Sequence, residues 1–411
     1  MAKKELISSG APTGRSAFLD RLRKNFAGLT SASDGINASY LDVWNAKDDL
    51  PSIAQEYMVG GKGWLDGRIC QYRATFSKGK SSMMYQQYGA SQLRHGAYCF
   101  HVETEGAGSP PNWIASFGCN PEDLMMLESE SLEKCFGFID QMRCEFRGGN
   151  GVKDPIDPKN EHPLVFGVDS LSQLNVDSLA QQDVMDMTKA SQPGVVAKKM
   201  REWFSANVQK LRASRTFLFL TSHETAKIAT GPMAFGGPQK TAKAQEAIGV
   251  SGTYAYDLGV SKWTASNGDI LGSVTNFKCF KNKWSGREFN GKVRSVDMYL
   301  HIGHGFDLCH TDAMFLSKNP NSPFAWHPEL SRLGTPAKDA YGWKWPALSD
   351  KRFRTAEDLM RAFYANEDLL MKTREALQLY GFGFAFESGW RTRVAETEDN
   401  GADGSRPEAA E

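Results

Sequence analysis

The residues with the most definite chemistry lie at 74–81, Ala-Thr-Phe-Ser-Lys-Gly-Lys-Ser. They match the phosphate-loop pattern G-x-x-x-x-G-K-[ST] at every fixed position but the first, where Ala74 stands for Gly. A loop of this spacing after a strand turns successive backbone N–H groups toward phosphate oxygens. The helix that follows adds the positive end of its dipole. Lys80 is expected to reach the β- and γ-phosphates, and the Ser81 hydroxyl to ligate Mg²⁺. Ala74, Thr75, Phe76, Ser77, Lys78, Gly79 and the following Ser82 complete the candidate nucleotide contacts. ATP and Mg²⁺ are the cofactors such a loop calls for. A Ser/Lys-rich surface loop is the alternative.

Three further groups could work beside that loop. The run from His162 to Ser170 is continuously apolar at 164–168 and ends in Asp169, as a buried parallel strand would. An acid at that end suits a Mg²⁺-water ligand; a helix cap is the plainer reading. Tyr98–Ala107 carries Glu103 and Glu105 at the end of another apolar run, where a water-activating base belongs. Lys281 and Lys283 share one face of an extended segment, and could stabilise transition-state charge or simply make a basic turn.

The elements that must position these groups alternate. Strand-like runs recur at 68–72, 98–103, 164–168, 216–221, 274–280 and 294–302. Helical patterns between the earlier ones predict an α/β fold with a central, mainly parallel sheet. A helical arm is expected at 16–29, from Leu19, Leu22, Phe26 and Leu29. The chain divides into an arm at 1–49, a core at 50–318, a small C-terminal α/β domain at 319–393 and an acidic, disordered tail at 394–411. An amphipathic helix is expected around 355–379, and the tail holds six acids against Arg406.

Composition sets limits. The chain has 411 residues, 48 basic and 48 acidic, so nucleic-acid binding must come from local patches. Seven scattered Cys without C-x-x-C suit reduced thiols and a cytoplasmic location. No stretch is apolar enough for a membrane span, and no membrane partner is expected. Two long segments, 182–196 with Lys189 and the Gly-rich, basic 227–250 with Lys227, Phe235, Lys240 and Lys243, suit single-strand binding. Otherwise they are surface loops. His301-x-x-His304 with Cys309 and His310 looks like a ligand cluster, but the spacing fits zinc poorly.

Taken together, the phosphate loop, the Asp169 strand and the Glu103-Thr104-Glu105-Gly106-Ala107 run resemble the RecA recombinase family. The resemblance implies a RecA-type P-loop ATPase core with Glu105 as catalytic glutamate and Trp113, after Pro111, over the adenine. It implies His223 as γ-phosphate sensor, and Lys281 and Lys283 capping a neighbour's ATP. The stretch Ser222-His223-Glu224-Thr225, Ser77-Lys78 in the loop, and Asp186-Met187-Thr188-Lys189-Ala190 are similar to bacteriophage UvsX-type recombinases. The implied activity is DNA-dependent ATP hydrolysis driving strand exchange in a helical filament. Its partners would be single- and double-stranded DNA, single-strand-binding proteins and mediators, in a bacterial host's cytoplasm. The alternatives are a RecA-fold hexameric helicase and a DNA-coating filament protein with weak hydrolysis.

Overall fold

The computed structural model describes residues 40–106, 108–177, 194–227, 239–242, 245–265 and 267–379. The arm at 16–29, the acidic tail, Lys189, Phe235 and Lys243 lie outside the described residues. Lys227 and Lys240 are described by their backbone alone.

Ten strands form the main sheet. They are β1 (Ile69–Ala74), β2 (Tyr98–Glu103), β3 (Leu124–Glu128), β4 (Leu164–Asp169), β5 (Thr216–Lys227), β6 (Gln239–Ala242), β7 (Tyr254–Thr264), β8 (Ile270–Asn282), β9 (Ser295–His301) and β10 (Gly305–Phe306). The order β3-β2-β4-β5-β1-β7 is parallel throughout. Beyond β7 the sheet continues antiparallel through β8, β9 and β10, and β6 folds back on β5 as a hairpin. All six anticipated strands are present. β3 and β7, which the apolar runs did not announce, add one edge and the hinge to the antiparallel part.

The apolar runs are continuous because both faces of the parallel strands are covered. Along β5, Phe217 and Phe219 enter one core with Tyr57, Trp64, Met83, Met84 and Tyr88. Leu218 and Leu220 enter the other with Phe100, Phe136, Phe166 and Phe204. Helix α1 (Ile53–Val59) and helix α2 (Lys80–His95) lie on the first face. After the short α3 (Pro111–Ala115), helices α4 (Leu132–Arg147), α5 (Val195–Ala213) and α6 (Gln245–Ser251) cover the second.

The antiparallel part is backed by α7 (Leu308–Lys318). The expected helix at 355–379 is two helices, α8 (Ala356–Ala365) and α9 (Glu367–Ala376). Asn366 divides them, its side chain accepting the Leu369 amide as the cap of α9. Trp343, Trp345, Leu359 and Phe363 join the core that contains Tyr57 and Trp64.

Candidate active site

β1 delivers the chain to the phosphate loop and α2 receives it. Ser77 has φ 53° and Gly79 φ 81°, so the backbone turns twice through the left-handed region before Lys80 starts the helix. At Gly79 a side chain would also meet Thr275 of β8 at 3.0 Å. Ala74, the departure from the pattern, is the last residue of β1, paired with His223 of β5. That position is ordinary strand backbone and does not require glycine.

Lys80 is 5% exposed. Its ammonium donates to the Thr75 carbonyl at 2.9 Å and stands 3.4 Å from His223 Nδ1. Burial lowers its pKa, while Asp169, Glu105 and Glu224 act to raise it. His223 Nε2 lies 2.6 Å from Glu105 Oε1, which also accepts the Ser170 hydroxyl at 2.9 Å. With Nε2–H donating to the carboxylate, Nδ1 is left to accept from Lys80. The Ser81 hydroxyl donates to Asp169 Oδ2, and the Thr221 hydroxyl reaches Asp169 Oδ1 at 2.5 Å. The Asp169–Ser170 peptide is cis.

Five of the singled-out residues thus lie together at the phosphate-loop end of the parallel strands, in two bonded groups, Lys80–His223–Glu105 and Ser81–Asp169, joined through Ser170, which follows Asp169 and donates to Glu105. The donor set fits nucleotide and magnesium: a buried ammonium aimed at the loop's own backbone, and a hydroxyl paired with a carboxylate. Phe76 is 68% exposed and tilts over His223 with ring centroids 4.3 Å apart.

Other candidates sit apart. Trp113 in α3 is half-buried and packs edge-on against Phe117 at 5.0 Å, which in turn meets Tyr85 of α2. Lys281 stands level with Gln71 through Ala255, before the strand end that carries the loop. Lys283 bonds Thr253, whose amide bonds Ile69 at the start of β1. Their ammonium groups donate to the carbonyls of Gly249 and Val250 in the last turn of α6. Burial, with Lys283 as a like-charged neighbour, pushes Lys281 down to about 8.

The His/Cys segment is not gathered around one point. His310 stacks on Trp263 at 5.0 Å, Cys309 Sγ bonds Asp48, and His301 meets His304 with ring centroids 4.8 Å apart. Among the described residues, no three His, Cys, Asp or Glu side chains are placed to hold a metal.

The sequence reading did not single out Ser170, Ser172 or Thr221. Ser172 accepts the His223 amide at 2.7 Å. Ser170 directly follows Asp169, and Thr221 is a polar residue closing an apolar run, so both carried a signal.

A mixed α/β chain with this strand order and a phosphate loop between β1 and α2 has a RecA-type core. No family profile matches the chain. It is similar to Protein RecA of Psychrobacter cryohalolentis, with 24% identity over 299 residues, 70% of this chain and 77% of the relative. It is also similar to Protein RecA of two Cereibacter sphaeroides strains, each 21% identical over 287 residues and 70% of this chain, covering 74% and 71% of the relatives. These similarities, low in identity and long in coverage, support a RecA-family member. No helix among the described residues is long and apolar enough to cross a membrane.

Proposed function

We propose that the protein is an ATP-dependent homologous recombinase of the UvsX-type phage branch, which coats single-stranded DNA as a helical filament and exchanges strands with a homologous duplex. The observation that carries this reading is the cluster of Lys80, His223, Glu105, Ser81 and Asp169 at one end of the sheet.

Each residue has a task in that reading. The loop amides and Lys80 bind and orient the phosphates. Ser81 and Asp169 would hold Mg²⁺, which when bound would neutralise charge growing on the phosphate oxygens. Glu105 accepts the proton of the attacking water. Both of its bonds from His223 and Ser170 fall on Oε1, so Oε2 is left for that proton. His223 touches Lys80 and Glu105 and directly precedes Glu224–Lys227, the part of β5 that pairs with β6. It therefore links phosphate occupancy to the segment proposed to carry DNA at Lys227, Phe235, Lys240 and Lys243, with Lys189 on the other loop. Trp113 is assigned to the adenine. Lys281 and Lys283 bond the carbonyls of α6 and stand level with the start of β1 rather than with their own chain's phosphate loop, which favours service to a neighbour in a homo-oligomer.

A RecA-fold helicase would use the same loop. Electron microscopy with single-stranded DNA and a non-hydrolysable ATP analogue separates the two. An open helical filament, with strand exchange on restoring ATP, supports the recombinase. A closed ring without exchange overturns it.

A further inference from the structure

A chain of buried polar groups lies behind the cluster. It begins at Tyr88 of α2, whose hydroxyl is 3.2 Å from both the Phe100 carbonyl and His101 Nδ1. That hydroxyl reaches the sheet because β4 has Gly167 paired with His101. A Cβ at Gly167 would stand 1.9 Å from the Tyr88 oxygen. His101 is 0% exposed, and its Nε2 makes no hydrogen bond among the described residues. It faces Glu103 Oε2 at 3.7 Å. Glu103, itself buried, accepts the Glu105 amide on Oε1 at 2.7 Å.

An unpaired polar nitrogen in a protein core is destabilising, because it has given up its bonds to water. An aromatic hydrocarbon would fill the same space without that cost. The contribution of the imidazole therefore lies in what it faces. A buried carboxylate held by one amide can rotate; a partner on its second oxygen fixes it. The 3.7 Å gap suits a contact that tightens as a site loads, since catalytic hydrogen bonds are often long before ligand binds.

We propose that His101 is a positioning residue for Glu105. His101, steadied by Tyr88, holds Glu103, and Glu103 holds the backbone from which the Glu105 carboxylate projects. The inference rests on the reading of Glu105 as the base.

The test measures DNA-stimulated ATP hydrolysis, ATP binding and thermal melting in the full chain for His101→Phe, His101→Gln and Glu103→Gln, beside Glu105→Gln. His101→Phe and Glu103→Gln are expected to lower kcat roughly tenfold with KM and melting little changed, since misplacing a reacting group costs orientation rather than affinity. His101→Gln keeps a donor toward Glu103 and is expected to recover most of that loss. A parental kcat in His101→Phe, or no recovery in His101→Gln, overturns the proposal. Should His101→Phe fail to fold, Glu103→Gln decides: loss of kcat at constant KM supports positioning, and a parental kcat overturns it. Parental turnover by Glu105→Gln would sink the base reading itself. An inactive Glu105→Gln beside an unimpaired His101→Phe sinks only the positioning role.

Discussion

The two ends of the parallel strands treat their lysines differently. At the phosphate-loop end, Lys80 is buried among Asp169, Glu105 and Glu224, with His223 against it. At the other end, Lys281 has Lys283 for a neighbour and no acid among the groups that shift it; both ammonium groups rest on helix carbonyls. One end is an assembled charge network that a polyphosphate can enter. The other is a pair of cations with no ion pair to an acid among the described residues, held by a helix C-terminus whose partial negative charge is a weak substitute. In the proposed function the first end binds and activates nucleotide within one chain, whereas the second becomes useful when something anionic is brought to it.

The sharpest way to break this contrast is at the first end. Glu105→Gln is expected to bind ATP normally and to lose roughly 10²–10⁴-fold in turnover, the range for a positioned base. Lys80→Ala is expected to lose binding as well as turnover. Equilibrium nucleotide binding beside single-turnover hydrolysis separates the two, and a Glu105→Gln protein hydrolysing at the parental rate would remove the base assignment.

At the second end, charge is expected to depend on pH. Lys281 titrates near 8 in the free chain, so its cation is lost as pH rises through that value. ATP-dependent assembly, which starts from free chains, should weaken several-fold between about pH 7 and 9. Lys281→Arg, always charged, should flatten that dependence. Light scattering across the pH range reads it; identical profiles for parent and Lys281→Arg would contradict a role for this charge.

The same crowding of cations recurs in the antiparallel part. Burial, then Lys338 and Lys318, push His310 down to about 4. An unfolded imidazole titrates near 6.5. As pH falls through the interval between these values, the unfolded chain takes up the proton first, and stability is lost. The loss is on the order of 3 kcal/mol. His310→Phe should remove that slope in denaturant melts; an unchanged slope would assign it to other groups.

The smallest expected effect concerns DNA. Lys240→Ala with Lys243→Ala should flatten the salt dependence of single-strand binding by about 0.7 log units for each phosphate no longer neutralised. An unchanged slope would put the DNA path elsewhere.

How much of this was legible depends on whether a feature is local. The phosphate loop is eight consecutive residues, so its chemistry could be read directly, and the apolar runs announced six strands. β7 was not announced because Asp257, Gly259 and Lys262 interrupt its apolar character; its pairing with β1 and β8 holds it extended. β3 is an edge strand whose apolar run, Leu124–Leu127, is only four residues long, too short to tell a strand from a piece of helix, and its Met125 and Met126 are exposed. The bonds that close the site run between separate elements: Ser81 of α2 to Asp169 of β4, Thr221 of β5 to Asp169, and His223 of β5 to Glu105 just beyond β2. They depend on register, which no single segment encodes. Trp343 and Trp345 illustrate the same limit. They stand close in sequence to the basic residues Lys351, Arg352 and Arg354, yet both are buried core residues.

The most direct test of the two-ended arrangement is complementation in mixed assemblies. Lys281→Ala/Lys283→Ala protein and Glu105→Gln protein are each expected to hydrolyse ATP poorly, the first despite an intact Lys80, Glu105 and Asp169. Co-assembled on single-stranded DNA, they form some interfaces where an intact phosphate-loop end meets an intact lysine pair. Turnover of the mixture well above the sum of the separate proteins is the predicted result. With co-assembly established by fluorescence transfer between labelled chains, turnover no higher than that sum would contradict it.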